Sequence, residues 1–126
     1  MLVASQVRDP GRQARAAWRP AIEVPDLASL NKGGIGRVNS VSCASAGNCA
    51  AGGSYLDGHS HGQAFVVSQA NDTWGTAIEV PGTGALNAGG AAFARSVSCR
   101  SAGNCAVGGS YRDGSGHFQA FVDSQG

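Results

Sequence analysis

Two kinds of residue stand at spacings that could do chemistry. The four cysteines form two Cys-x5-Cys pairs, Cys43 with Cys49 and Cys99 with Cys105, each around a Gly-Asn turn. That turn sets the members of a pair opposite each other across a hairpin, at a distance that suits a disulfide. Closing so short a loop contributes about 2 kcal/mol in the chain-entropy view. Zinc is the alternative, but structural zinc sites use shorter spacings, and each pair has one dependable histidine, His61 or His117. The second set is polar and occurs twice: Tyr55, Asp57, His61 and Gln63, then Tyr111, Asp113, His117 and Gln119. Paired donors and acceptors beside an aromatic ring are what a sugar needs for its hydroxyls and its ring face. The plainer role for Asp57 and Asp113 is to make turns.

Other sets are weaker. Trp18 and Trp74 begin equivalent segments, where a large aromatic is expected to pack between sheets; stacking on a sugar is the other use of such a ring. His59 and His61 could pair on a metal, but the second copy has only His117, so no metal site is expected. Glu23 and Glu79, the only glutamates, could join Asp57 or Asp113 as a glycosidase pair. No spacing in the sequence fixes such a pair, and hydrolysis is the last reading. Gly52-Gly53-Ser54-Tyr55-Leu56 fails as a nucleophile elbow at its final position. The glycines at Gly82 and Gly84 lack a dinucleotide site's strand-to-helix context. No cofactor and no catalytic residue is expected. Nine basic and eight acidic residues in 126 give a net charge of +1, with no footprint for nucleic acid and no signal for membrane insertion.

These residues recur because the chain does. Shifted by 56 positions, Trp18–Gln69 falls on Trp74–Gln125 without a gap, with 33 identities in 52 positions. Units this alike fold alike, and a catalytic centre, asymmetric and single, is a poor fit to them. The organisation is a partial strand plus basic arm over residues 1–17, repeat 1 over 18–73 and repeat 2 over 74–126. Val3-Ala4-Ser5-Gln6 resembles Val66-Val67-Ser68-Gln69, as though a third unit contributed its tail. The segment Val7–Ala17, carrying Arg8, Arg12 and Arg15, has no counterpart and reads as a basic arm or irregular loop.

The pattern within a unit is β. Val38–Ala44, Cys49–Tyr55, Gln63–Ser68 and Trp74–Val80 read as strands, followed by Arg95–Arg100, Cys105–Tyr111 and Phe118–Ser124. Trp18–Val24 is a strand of the Trp74–Val80 type. Turn chemistry separates them at Ala46-Gly47-Asn48, Asp57-Gly58 and Asn71-Asp72. Only Leu27–Leu30 could make a helical turn.

Ser68-Gln69-Ala70-Asn71-Asp72-Thr73-Trp74 resembles the loop and Trp between the third and fourth strands of Asp-box β-propeller blades. Ser-Val-Ser-Cys-x-Ser-Ala-Gly-Asn-Cys-Ala and Gly-Gly-Ser-Tyr-x-Asp-Gly resemble tandem repeats of secreted actinobacterial proteins. The resemblance implies an all-β fold with two four-stranded propeller-type blades per chain. In that register the second blade lacks its fourth strand, and Trp18–Val24 has no sequential neighbour to pair with. The expectation is a ring of several chains exchanging this strand, a trimer before a dimer or tetramer; a self-contained β-sandwich is the alternative. By analogy with two-blade bacterial propeller lectins, the expected function is a multivalent, lectin-like module binding glycans or cell-surface groups. A structural or protein-interaction module without a small ligand is the alternative. Paired cysteines place the chain outside the reducing cytosol, secreted or at the cell surface.

Overall fold

The computed structural model describes residues 2–4, 6–8 and 16–126. Near the start, β1 (Leu2–Val3) pairs with β4 (Ile22–Glu23), and β2 (Gln6–Arg8) pairs with β3 (Ala16–Trp18). A helical turn, α1 (Leu27–Leu30), follows. The first sheet runs β5 (Gly36–Ser45), β6 (Asn48–Leu56) and β7 (Gly62–Ala70), with β8 (Thr73–Trp74) and β9 (Ile78–Glu79) both paired to β7. After a second helical turn, α2 (Thr83–Leu86), the second sheet runs β10 (Ala92–Ser101), β11 (Asn104–Arg112) and β12 (Phe118–Ser124). The described fold is all-β, two antiparallel sheets packed face to face in an open, sandwich-like arrangement.

Local chemistry sets these elements. Asn71 and Asp72 are both left-handed, with φ of 50° and 67°. Two such residues in succession make the tight turn whose twist matches a hairpin, and Asn and Asp tolerate it best after glycine. Gly47 takes φ of 77° in the β5–β6 turn, where a side chain would also strike Asp72. Leu27–Leu30 is helical as expected, and Thr83–Leu86 is a second turn at the equivalent place.

The structure corrects three expectations. Trp18–Val24 does not lack a partner in its own chain: Ile22 lies opposite Val3, Glu23 opposite Leu2 and Trp18 opposite Gln6. The register repeats that of the first sheet, where Ile78 lies opposite Val66, Glu79 opposite Phe65 and Trp74 opposite Gln69. The opening residues thus pair as the β7–β9 region does. Second, Trp74–Val80 is not continuous. The Gly75 amide still donates to Ser68 of β7 (2.7 Å), but the Ala77 amide turns to Pro25 (3.0 Å), so the segment leaves the ladder between β8 and β9. Third, Trp18 is not core; its side chain is 71% exposed. Of the expected arm, residues 9–15 lie outside the described residues, while its flanks pair as β2 and β3.

The centre of the first sheet, β6 and β7, is buried on both faces. On one, Ala51, Tyr55, Phe65 and Val67 pack with Val3, Val24 and Leu27. On the other, Ala50 and Ala64 pack with Ala94, Val97, Val107 and Phe121 of the second sheet. The alanines and glycines of β6 permit this, because small side chains let sheets approach on both sides. A Cβ on Gly52 would come within 2.9 Å of Val97.

Candidate functional site

β10 lies against the first sheet, and a cleft of about 390 Å³ opens where β5 and β10 meet. A β-bulge on each strand shapes it. In β5 the register passes from Val38 opposite Gly53 to Ser40 opposite Gly52, leaving Asn39 without a ladder partner. In β10 it passes from Ala94 opposite Gly109 to Ser96 opposite Gly108, leaving Arg95 likewise. Gly53 and Gly109 are required here, because a Cβ on either would overlap the carbonyl of Arg37 or Phe93. A bulge turns one side chain out of the regular alternation, a common device beside binding sites.

Both bulged residues line the cleft, with Arg37, Ser54, Tyr55 and Phe93. Asn39 Nδ2 donates to the Ala94 carbonyl (2.8 Å), fixing the two strands to each other. The Arg95 guanidinium lies 5.1 Å from the centre of the Phe93 ring and donates to Ser110 Oγ (3.3 Å). Arg37 is exposed, and among the described residues the lining includes no carboxylate. Two cations, an amide, a hydroxyl and an aromatic ring in one concave place suit an anion with hydroxyls around it. A second groove, about 340 Å³, lies between the sheets beside Ser68, Asp123 and Gln125 and is mostly apolar.

The repeated polar set sits in the two turns after β6 and β11. Asp57 Oδ1 accepts from the amides of His59 and His61 (2.9 Å each), and Oδ2 accepts from Gln63 Nε2 (3.0 Å). Asp113 is bound identically by the amides of Ser115 and His117 and by Gln119 Nε2. Each carboxylate is thus engaged inside its own turn. Burial alone would raise the Asp57 carboxyl, but the bonds from Gln63, His61 and His59 outweigh it and hold the group below the ordinary carboxylate range. Asp113 is lowered too, first by Gln119 and then by the His117 amide.

The two turns differ in cover. Asn87 Nδ2 donates to the Gly62 carbonyl (2.9 Å) and Gln63 Oε1 (3.3 Å), and the Gly62 amide donates to Gly90. The first turn is therefore overlaid by the segment after α2. The second is open, with His117, Phe118 and Gln119 exposed. Tyr55 is 5% exposed and packs on Phe65, so its ring is core, although the residue also borders the cleft. Burial, then the carboxylates of Glu79 and Asp57, push its hydroxyl up to about 12. Glu79 is raised as well, by burial and then by Asp57. Trp74 is half-buried against the first core, whereas Trp18 stands apart from the cleft lining.

Both expected disulfides are present, Cys43–Cys49 and Cys99–Cys105, each between directly opposed residues. The His59 and His61 rings are 6.4 Å apart, and the described residues contain no group of three or more metal-ligating side chains. Among them no helix is long and apolar enough to cross a membrane. Against known proteins the chain matches no family model, no curated protein and no solved structure.

Proposed function

We propose that this chain is a non-catalytic, exported glycan-binding module whose repeats are propeller-type blades, and that it takes an acidic sugar in the cleft between its sheets. The observation that carries this reading is the pairing of Arg37 and Arg95 in a cleft whose lining, among the described residues, includes no carboxylate. A guanidinium meets a carboxylate through two parallel hydrogen bonds. The Asn39 Oδ1 and the Ser54 hydroxyl add acceptors and a donor for ring hydroxyls. The two disulfides support an oxidising compartment, outside the cell for most chains. The open second turn, with His117, Phe118 and Gln119, gives a neutral sugar a further contact. Weak sites of this size gain avidity when several are displayed together.

Titration calorimetry with oligosaccharides containing a uronic or sialic acid, beside their neutral counterparts, tests the proposal. The acidic ligands should bind more tightly, and binding should weaken with added salt. An Arg37→Gln, Arg95→Gln double variant should lose at least about tenfold in affinity with its melting temperature unchanged, since both side chains are exposed. Equal binding of neutral and acidic ligands, or undiminished binding by that variant, would sink the acidic-sugar reading. The alternative, a protein-interaction module, is favoured by a different observation, the uncovered face of the second sheet.

A further inference from the structure

The two sheets meet by a rule that can be written in residues. The first sheet offers Ala50, Ala64, Val66 and the notch at Gly52; the second sets Val97, Val107 and Phe121 into it. Hydroxyls lock the edge: Ser40 Oγ accepts from the Val97 amide (3.1 Å) and Ser42 Oγ from the Cys99 amide (3.0 Å). At the far side Gln125 Nε2 donates to Ser68 Oγ (3.0 Å). The contact is head-to-tail, one face of a unit against the opposite face of the next.

A shift of 56 residues turns the offering half of that contact into an uncovered surface, and the inserting half into a face where Val41 is exposed while Ala51 and Phe65 lie under Val3, Val24 and Leu27. The offering face recurs on the second sheet as Ala106, Ala120, Val122 and the notch at Gly108. Val122 is 87% exposed, and a Cβ on Gly108 would meet nothing closer than 3.8 Å. Ser96, Ser98 and Ser124, counterparts of Ser40, Ser42 and Ser68, are exposed on the same sheet. Among the described residues β12 has no strand on the side away from β11. The inserting face recurs on the first sheet. Val97 is 8% exposed, but its counterpart Val41 is 53% exposed. The counterpart of Gln125 is Gln69, 4% exposed, whose Nε2 and Oε1 find no partner among the described residues.

We infer that the second sheet docks head-to-tail on the first sheet of a second copy of this chain. Val41 of one copy enters the Gly108 notch of the other, Ser96 and Ser98 accept from the Val41 and Cys43 amides, and Ser124 meets Gln69. The same register sets Val122 opposite Ile22, as Val66 stands opposite Ile78. That place is held within the chain by Val3 of β1, which is 6% exposed and lies opposite Ile22. The two-residue β1 is therefore a placeholder, displaced when the longer β12 arrives. Val24 and Leu27 keep their seats on the first sheet throughout. Because a head-to-tail contact uses two different faces, each copy gives one and receives one, and the series ends only by closing into a ring. None of the residues tested here is one of the cleft arginines, so this inference stands or falls apart from the acidic-sugar reading.

Sedimentation velocity on the native chain, over a wide concentration range, is the direct test. Assembly that grows with concentration is expected, and Val3→Asp, which removes the placeholder, should strengthen it. Gly108→Leu fills the notch from a position whose Cβ meets the chain's own atoms no closer than 3.8 Å; it should sediment as a 12.6 kDa monomer with unchanged circular dichroism and melting. With Ile22→Cys and Val122→Cys together, mild oxidation should give a covalent ladder on a non-reducing gel, since the four native cysteines are already paired. Monomers at every concentration for both the native chain and Val3→Asp would overturn the inference. So would assembly, or a ladder, that survives Gly108→Leu.

Discussion

Asp57 and Asp113 were legible in the sequence because identical residues recur at a fixed shift. What recurs is largely what the fold itself needs. Each carboxylate ties two backbone amides and a glutamine, and that work is done once per unit. The cleft residues show the opposite behaviour. Arg37 is replaced by Phe93 in the second unit, and Asn39 by Arg95, so matching one repeat to the other passes over them. Their convergence comes from two bulges, a matter of register that no spacing announces. The carboxylates carry a prediction about acid. Both titrate below their ordinary range in the fold, so each stabilises it fully above that range, and the contribution is lost as pH falls through the lowered value. Glu79, raised by burial and then by Asp57, acts in the other direction: its contribution is present at low pH and fades as pH rises through its value. Asp113 is the cleaner probe, because Asp57 also raises Glu79 and Asp113 does not. Thermal melts of Asp113→Asn between pH 6 and pH 3 should fall less steeply than those of the native chain. Parallel slopes would remove this carboxylate from the account of acid stability.

At the scale of elements, alternation and turn residues located the long strands, and the structure extends them. β5 begins at Gly36 and β10 at Ala92, two and three residues before the expected starts, because pairing continues past the bulges. The Trp74–Val80 segment shows where alternation fails. Its apolar residues suit a strand, yet Ala77 sends its amide to Pro25, away from β7, which β8 and β9 pair with. A sequence lists donors without saying which acceptor lies nearest. The two tryptophans part for a similar reason: Trp74 lies over the first core, whereas Trp18 ends a two-strand ribbon and is exposed. The hairpin disulfides were readable because opposed cysteines in a tight turn have one geometry. Replacing Cys43 and Cys49 together by serine should cost about 2 kcal/mol in urea unfolding, the entropy of the short loop they close. The hairpin keeps its Ser45–Asn48 hydrogen bond, so the fold should survive. A loss under about 0.5 kcal/mol would mean that the turn alone holds the pair.

For the molecule as a whole, the distribution of buried surface decides which part opens first. The centre of the first sheet is covered on both faces, and β6 is almost wholly buried along its length. The second sheet is covered on one face, and in β12 only Phe121 is buried. The chain is too short for two separate cores to be independently stable, so the sheets share the interface around Val97 and Phe121. Sub-global opening draws on the regions with the fewest apolar contacts. Opening β12 from β11 exposes Phe121 and little else, whereas opening β6 exposes both cores. Hydrogen exchange at low protein concentration should therefore give slow amides across Asn48–Leu56, opening only with the whole molecule. Phe118–Ser124 should exchange orders of magnitude faster, by local opening. β7 and β12 share most of their sequence and the same central partner position, but β7 is covered by the second sheet and paired on its far side with β8 and β9, whereas β12 has one face covered and, among the described residues, no far-side strand. If β12 exchanged as slowly as β7 in a sample shown to be monomeric, its protection would have to come from within the sheet. Coverage by a second sheet would then no longer explain why Val66 and Val122, equivalent in sequence, differ so far in exposure.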